Sequence, residues 1–142
     1  MKTVQQLLST KSAQIFSISE NSSVLDALKL MMEKNISALL ILEDKQLLGI
    51  FTERDYARKI ILHGKSSAET PIREVMTAEP ITVLPSDTID FCMGLMTDRH
   101  IRHLPVMQDE LLYGMVSIGD VVKFIIEDQR QTISQLENYI SS

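Results

Sequence analysis

Hydrophobic and polar positions change their period at regular points along the chain. Val4 to Leu8 reads as a short amphipathic helical turn, and Gln14 to Ile18 alternates as a brief strand. Asn21, Ser22 and Ser23 supply N-cap chemistry ahead of Val24 to Lys34, where Val24, Leu28 and Met31 recur at helical spacing, so a helix is expected there. Two apolar runs, Ala38 to Leu42 and Leu47 to Phe51, flank the polar segment Glu43 to Gln46 and predict a hairpin. From Arg54 to about Leu62 the residues Tyr56, Ala57, Ile60 and Ile61 mark one face of a second helix, which His63 and Gly64 would stop.

The same plan then recurs. After the polar, proline-ended segment Lys65 to Pro71 come a strand at Ile81 to Val83, a helix start at Pro85 to Asp87, a helix over Ile89 to His100, and a hairpin from Leu104 to Met107 and Leu112 to Val116. The recurrence is literal. Gly49 to Asp55, GIFTERD, is echoed by Gly114 to Asp120, GMVSIGD, and both ends of the motif are 65 residues apart. That offset also pairs Leu30 and Met31 with Leu95 and Met96, Ile36 with Ile101, Asp44 with Asp109 and Ile60 with Ile125, without a gap. Near the N-terminus the offset becomes 68, with Val4 to Ser9 matching Ile72 to Thr77. The chain is one unit written twice: residues 1–64, a linker 65–71, and residues 72–142.

The last helix departs from the repeat. It is predicted to run from Asp120 through Tyr139, with Val122 and Ile126 packing on the core and Ile133, Leu136 and Ile140 forming an apolar seam beyond it. A seam near seven-residue spacing fits packing on another subunit, hence a homodimer; folding back over the N-terminal segment is the alternative.

Composition narrows the classes. The 142 residues suit one domain in which both copies share a core. A net charge of −5 with no basic run argues against nucleic acid. The longest apolar run, Ala38 to Leu42, is far below the roughly 20 residues that span a bilayer, and the N-terminus lacks a signal-like apolar stretch. Cys92 is the only cysteine, which excludes internal disulfides. A cytoplasmic protein is expected, without nucleic acid or membrane as partner.

The repeated heptapeptide carries the candidate chemistry. A hydroxyl residue and an aspartate three positions later stand where a strand turns into a helix, whose N-terminal N–H groups favour phosphate. Thr52 and Ser117 add a hydroxyl donor, Asp55 and Asp120 could accept the vicinal hydroxyls of a ribose, and the glycine allows close backbone approach. The same residues also fit plain helix capping, and spacing leaves both uses open.

This set, with Arg102-His103-Leu104-Pro105-Val106 before the second hairpin, resembles the CBS-domain pair, or Bateman module, over nearly the whole chain, and is similar to small stand-alone bacterial CBS-pair proteins. The resemblance implies an α+β fold of two pseudo-symmetric repeats, each strand-helix-strand-strand-helix, packed through their sheets. It also implies a non-enzymatic regulatory sensor that binds an adenosine nucleotide in clefts between the repeats and acts on a separate protein partner. AMP is the first candidate, ahead of ADP, ATP or NAD(H), and no catalytic cofactor is expected. An assembly module with vestigial clefts is the alternative. Carried over, one cleft would combine Thr52, Arg54 and Asp55 with Thr77, Arg102 and His103, and the other Ser117 and Asp120 with Ser9, Ser37 and Ala38. Two guanidinium groups and an imidazole favour the first for a charged ligand. Leu40, standing where the second copy has Pro105, is a departure that bears on the second.

His100 and His103 lack companions for a metal set, and His103 is expected as a phosphate or purine contact instead. Other residues are expected to be structural. Cys92 and most of the methionines, including Met31, Met32, Met93 and Met96, fall at helical core spacing, and Arg58 and Lys59 read as surface charges.

Overall fold

The computed structural model describes residues 1–11 and 14–141; the expected end of the second repeat at Ser142 lies outside them. In chain order the elements are α1 (Val4–Leu8), β1 (Ser17–Ile18), α2 (Val24–Lys34), β2 (Ala38–Glu43), β3 (Gln46–Thr52), α3 (Glu53–Asp55), a π-helical continuation over Tyr56–Ile61, a 3-10 turn (Ile72–Glu74), β4 (Thr77–Ala78), α4 (Ile89–Arg99), β5 (His103–Gln108), β6 (Leu111–Ser117) and α5 (Ile118–Ser141).

Shifted by 65 residues, the two copies agree down to single backbone angles. Helix α2 begins where Ser23 Oγ accepts the Asp26 N–H at 3.0 Å, and α4 where Thr88 Oγ1 accepts the Phe91 N–H at 3.1 Å. Both end on a left-handed residue, Asn35 and His100, each at φ 55°. Asp44 and Lys45 (φ 48° and 70°) turn the first hairpin, and Asp109 and Glu110 (φ 53° and 63°) the second, the two positive angles that a two-residue type I′ turn requires. Each hairpin carries an irregularity at the same place, between Ile41 and Leu42 and between Val106 and Met107.

Where the copies differ, the cause is local. The first repeat pairs β1 with β2 in parallel, and the Leu40 N–H donates to the Phe16 carbonyl. The corresponding residue is Pro105, which has no N–H to give. The strand expected at Ile81 to Val83 is accordingly reduced to one bridge, Val83 to Val106. The helix expected from Arg54 to Leu62 winds instead as a π-helix after its first turn, so Tyr56 and Ile60 turn inward while Ala57 and Ile61 are exposed.

Two apolar cores result, and each borrows its opening segment from the other copy. Helix α1 contributes Val4 and Leu7 to the core of Ile89, Cys92, Leu104, Val106 and Val116. Ile72 and Val75 complete the core of Val24, Leu39, Ile41, Phe51 and Ile60. The exchange is hydrogen-bonded on both sides: the Val4 and Gln5 N–H groups donate to the Asp87 and Pro85 carbonyls, and those of Val24 and Ile72 to the Thr70 and Ser22 carbonyls. Strand β4 then pairs with β3, extending the first sheet to the order β1-β2-β3-β4. Gly49 permits this, because a Cβ there would lie 2.7 Å from the Thr77 carbonyl oxygen. Between the sheets, Leu40 and Ile50 of the first meet Leu112 and Met115 of the second, so the repeats are packed through their sheets.

Helix α5 corrects one expectation. Val121 is buried with Phe124 and Ile125 beside it, while Val122 and Ile126 are exposed and join Ile133, Leu136 and Ile140 along one stripe. The core and the stripe occupy adjacent faces, so apolar spacing alone could not assign residues between them. Helix α5 meets the N-terminal segment along its first half, where Val121 shares a core with Val4 and Leu7 and ion pairs join Asp120 to Lys11 at 2.7 Å and Asp128 to Lys2 at 3.3 Å, while Ile133, Leu136 and Ile140 beyond them stay exposed. Among the described residues, no helix is long and apolar enough to cross a membrane. Met31 and Met96 are core residues as expected, whereas Met32 and Met93 are exposed.

Candidate functional site

Both heptapeptides do cap their helices. Thr52 Oγ1 accepts the Asp55 N–H at 3.2 Å while Asp55 Oδ2 accepts the Thr52 N–H at 3.0 Å. Ser117 Oγ likewise accepts the Asp120 N–H at 3.1 Å, and Asp120 Oδ2 the Ser117 N–H at 2.9 Å. This is the reciprocal capping arrangement, and it uses only part of a carboxylate. What the remainder meets separates the two copies.

Asp55 is filled. Its Oδ2 also receives the Thr52 hydroxyl at 3.1 Å, and its Oδ1 receives the Thr77 hydroxyl and the Lys59 ammonium, each at 3.1 Å. The residue is only 8% exposed. Thr52, Asp55 and Thr77 therefore come together as expected, with Lys59 as a fourth member that the sequence reading took for a surface charge. Its position four residues after Asp55 on one helix face was the available signal. The Arg54 guanidinium donates to the His100 carbonyl, joining this corner to the second repeat.

Asp120 is open by comparison, with its side chain 27% exposed. Its Oδ2 accepts from the Ser117 N–H and, at 2.7 Å, from the Lys11 ammonium, and the Ser117 hydroxyl also hydrogen-bonds the carboxylate. It stands in a cleft of about 430 Å³ that also holds Ser37, Ala38, Ser117 and His103. Ile15, Phe16, Ile36 and Met115 give the cleft an apolar wall. Ser37, Ala38, Ser117 and Asp120 are thus brought together as expected. Ser9 lies apart, its hydroxyl donating to the Gln6 carbonyl at 2.7 Å at the end of α1, and Lys11 two residues on takes the place beside Asp120. Lys11 was missed because it falls where the repeat register slips, and no counterpart marks it.

His103 also moves from its expected company. Its Nε2 lies 3.2 Å from Ser37 Oγ, and both residues line the Asp120 cleft. Burial pushes the imidazole below its ordinary value against the pull of Asp120, with Arg102 and Lys11 acting in the same direction as burial. It is neutral near pH 7 and can donate or accept. Burial alone would raise the Asp120 carboxyl, but the hydrogen bonds from Lys11 and Ser117 outweigh it and hold the carboxyl below its usual value. Arg102 is exposed, and its backbone carbonyl accepts the Ile118 N–H at 2.9 Å. Among the described residues no group of three or more His, Cys, Asp or Glu side chains could hold a metal ion.

The arrangement is that of a two-repeat α+β module with a helix-capped, hydroxyl-lined cleft between its halves. Residues 4–62 and 72–127 each match the model of the CBS domain family, and the chain belongs to that family. It is 45% identical over 125 residues to the CBS domain-containing protein CBSX3, mitochondrial, of Arabidopsis thaliana, covering 84% of this chain and 61% of CBSX3. The chain thus spans less than two thirds of that relative. A solved protein with CBS domains from Burkholderia ambifaria MC40-6 is 47% identical with a TM-score of 0.86, over 90% of this chain and 96% of that one. CBSX2, solved in complex with AMP, is 25% identical with a TM-score of 0.76, over 91% of this chain and 99% of that one. Proteins built on CBS-domain pairs are generally regulatory rather than catalytic.

Proposed function

We propose that this protein is a non-enzymatic regulatory sensor that binds one adenosine nucleotide per chain, AMP first, in the cleft around Asp120. The observation that carries the reading is the contrast between the two capping aspartates: Asp55 is buried and closed by four donors, whereas Asp120 is part-exposed and lines an apolar-walled cleft. In this reading Asp120 accepts ribose hydroxyls, Ser117 and the first turn of α5 favour phosphate, Ser37 and His103 donate, and Phe16 and Ile36 cover the purine. The AMP complex of CBSX2 supports the ligand class. The Asp55, Thr52, Thr77, Arg54 and Arg102 side is read as a structural joint. Because the cleft draws Ser37 from one copy and Asp120 from the other, a ligand bridging them favours one arrangement of the repeats in proportion to its differential affinity. That bias would be passed to a separate protein.

The Ser37–His103 hydrogen bond resembles half of a nucleophile–base pair, but Asp120 is committed to Lys11 and Ser117 rather than to the imidazole, so turnover is not expected. The exposed stripe of α5 supports a second copy as its occupant, since Ile126, Ile133 and Ile140 fall on one heptad position and Val122 and Leu136 on the other; sedimentation of Ile133→Asp as a monomer, beside a dimeric parent, tests this.

Thermal unfolding with AMP, ADP, ATP, NAD, NADH and GMP tests the ligand. Adenine nucleotides should raise the midpoint, by about 5–10 °C at 100 times the dissociation constant, and GMP should not. A protein indifferent to all of them would leave the assembly-module reading in its place.

A further inference from the structure

The two motif aspartates are each held by a lysine, but the lysines are not related by the repeat. Lys59 follows Asp55 by one helical turn and also donates to the Val75 carbonyl at 2.9 Å, within the first core. Lys11 arrives from the segment after α1 and donates to the Met115 carbonyl at 2.9 Å and to Asp120 Oδ2 at 2.7 Å. In the first sheet Ile50, the counterpart of Met115, pairs with Thr77 of β4 instead. Lys11 therefore stands where the first repeat has a strand, and its side chain, 33% exposed, lines the cleft.

An ammonium has three protons and no acceptor. Two of those on Lys11 have described acceptors, and the side chain lines the same cleft as Asp120. A neutral sugar hydroxyl and an anionic group could then be held side by side, one by the carboxylate and one by the ammonium that balances it. No second cation belongs to the cleft lining among the described residues: His103 is neutral near pH 7, and Arg54 and Arg102 are outside it. Charge-assisted hydrogen bonds are about twice as strong as neutral ones, so this single group decides how much the cleft gains from ligand charge.

The geometry points to Lys11 as the residue that makes the cleft select its ligand by charge, holding the phosphate of a nucleoside monophosphate while remaining paired with Asp120. This rests on the nucleotide reading of the same cleft. Titration calorimetry of AMP and of adenosine against the parent, Lys11→Met and Lys11→Arg separates the two. Methionine keeps the unbranched stem and removes the charge at an exposed position, so folding is preserved; arginine keeps the charge. The parent should bind AMP more tightly than adenosine, Lys11→Met should lose roughly tenfold in AMP affinity with little change for adenosine, and Lys11→Arg should retain most of the preference. Equal weakening of both ligands would make Lys11 only a brace for Asp120, and equal strengthening would make it a competitor for the carboxylate. Either overturns the assignment, as would unchanged AMP binding. A parent that binds neither AMP nor adenosine overturns the nucleotide reading itself, and the assignment with it.

Discussion

Asp55→Ala and Asp120→Ala should separate stability from binding, although the two residues occupy equivalent positions in the repeat. At Asp55 the substitution leaves the Thr52 cap in place but removes the return half of the capping box, the bond from the Thr52 N–H to the carboxylate, for about 1 kcal/mol. It also orphans the Thr77 hydroxyl, which water can reach from the exposed side, for about another 1 kcal/mol. The Lys59 pair adds no more than about 1 kcal/mol, because that side chain is 40% exposed and solvent screens the pair. The sum is roughly 3 kcal/mol, or about 10 °C of midpoint for a chain of this size. At Asp120 the return bond from the Ser117 N–H is again about 1 kcal/mol, and the Lys11 pair, 33% and 27% exposed, contributes a fraction of that. The expected loss is about 4 °C. Calorimetric scans of both variants, each with and without AMP, give the comparison. Asp55→Ala should melt lower yet keep its AMP-induced shift, and Asp120→Ala should melt closer to the parent and lose it. An Asp120→Ala midpoint below that of Asp55→Ala, or an AMP shift lost in Asp55→Ala alone, would refute the assignment of a structural role to one aspartate and a ligand role to the other.

Three further outcomes follow from particular contacts. Gly49→Ala places a Cβ against the Thr77 backbone at 2.7 Å, so it should cost about 1–3 kcal/mol and, in hydrogen exchange, expose β4 more than β2. His103 titrates below its ordinary 6.5 in the folded chain; the unfolded chain then holds more protons between the two values, so stability should fall as pH drops from about 6.5, and denaturant midpoints of His103→Gln should be flatter across that window. The Cys92 thiol is pushed up to about 11 by burial and by Asp87, so a chromogenic disulfide reagent at pH 8 should leave the native protein unmodified and react fully once it is denatured.

The sequence made the plan of one repeat legible because period and offset reinforce each other: the turns at Asp44 and Asp109, the helices α2 and α4 and both hairpins occur at matching positions. It did not reveal that α1 and the segment 72–78 change places between the cores. Hydrophobic spacing says that Leu7 and Ile72 are buried but not against what. The site was divided in the same way. Thr52, Asp55, Ser117 and Asp120 were visible because the motif is local and repeated. His103 was assigned to the wrong neighbours because its partner Ser37 is 66 residues away, and Lys11 was invisible because it has no counterpart. The seam of α5 was seen, but its upper limit was misplaced at Val122 and Ile126, where apolar residues serve two adjacent faces.

The most direct measurement is a structure of the full chain with AMP. The account predicts one nucleotide per chain, its ribose on Asp120 Oδ1 and its phosphate between Lys11 and the first turn of α5, with Ser37 and His103 in contact. A nucleotide found beside Thr52, Asp55 and Thr77, with the Asp120 cleft lacking one, would contradict it.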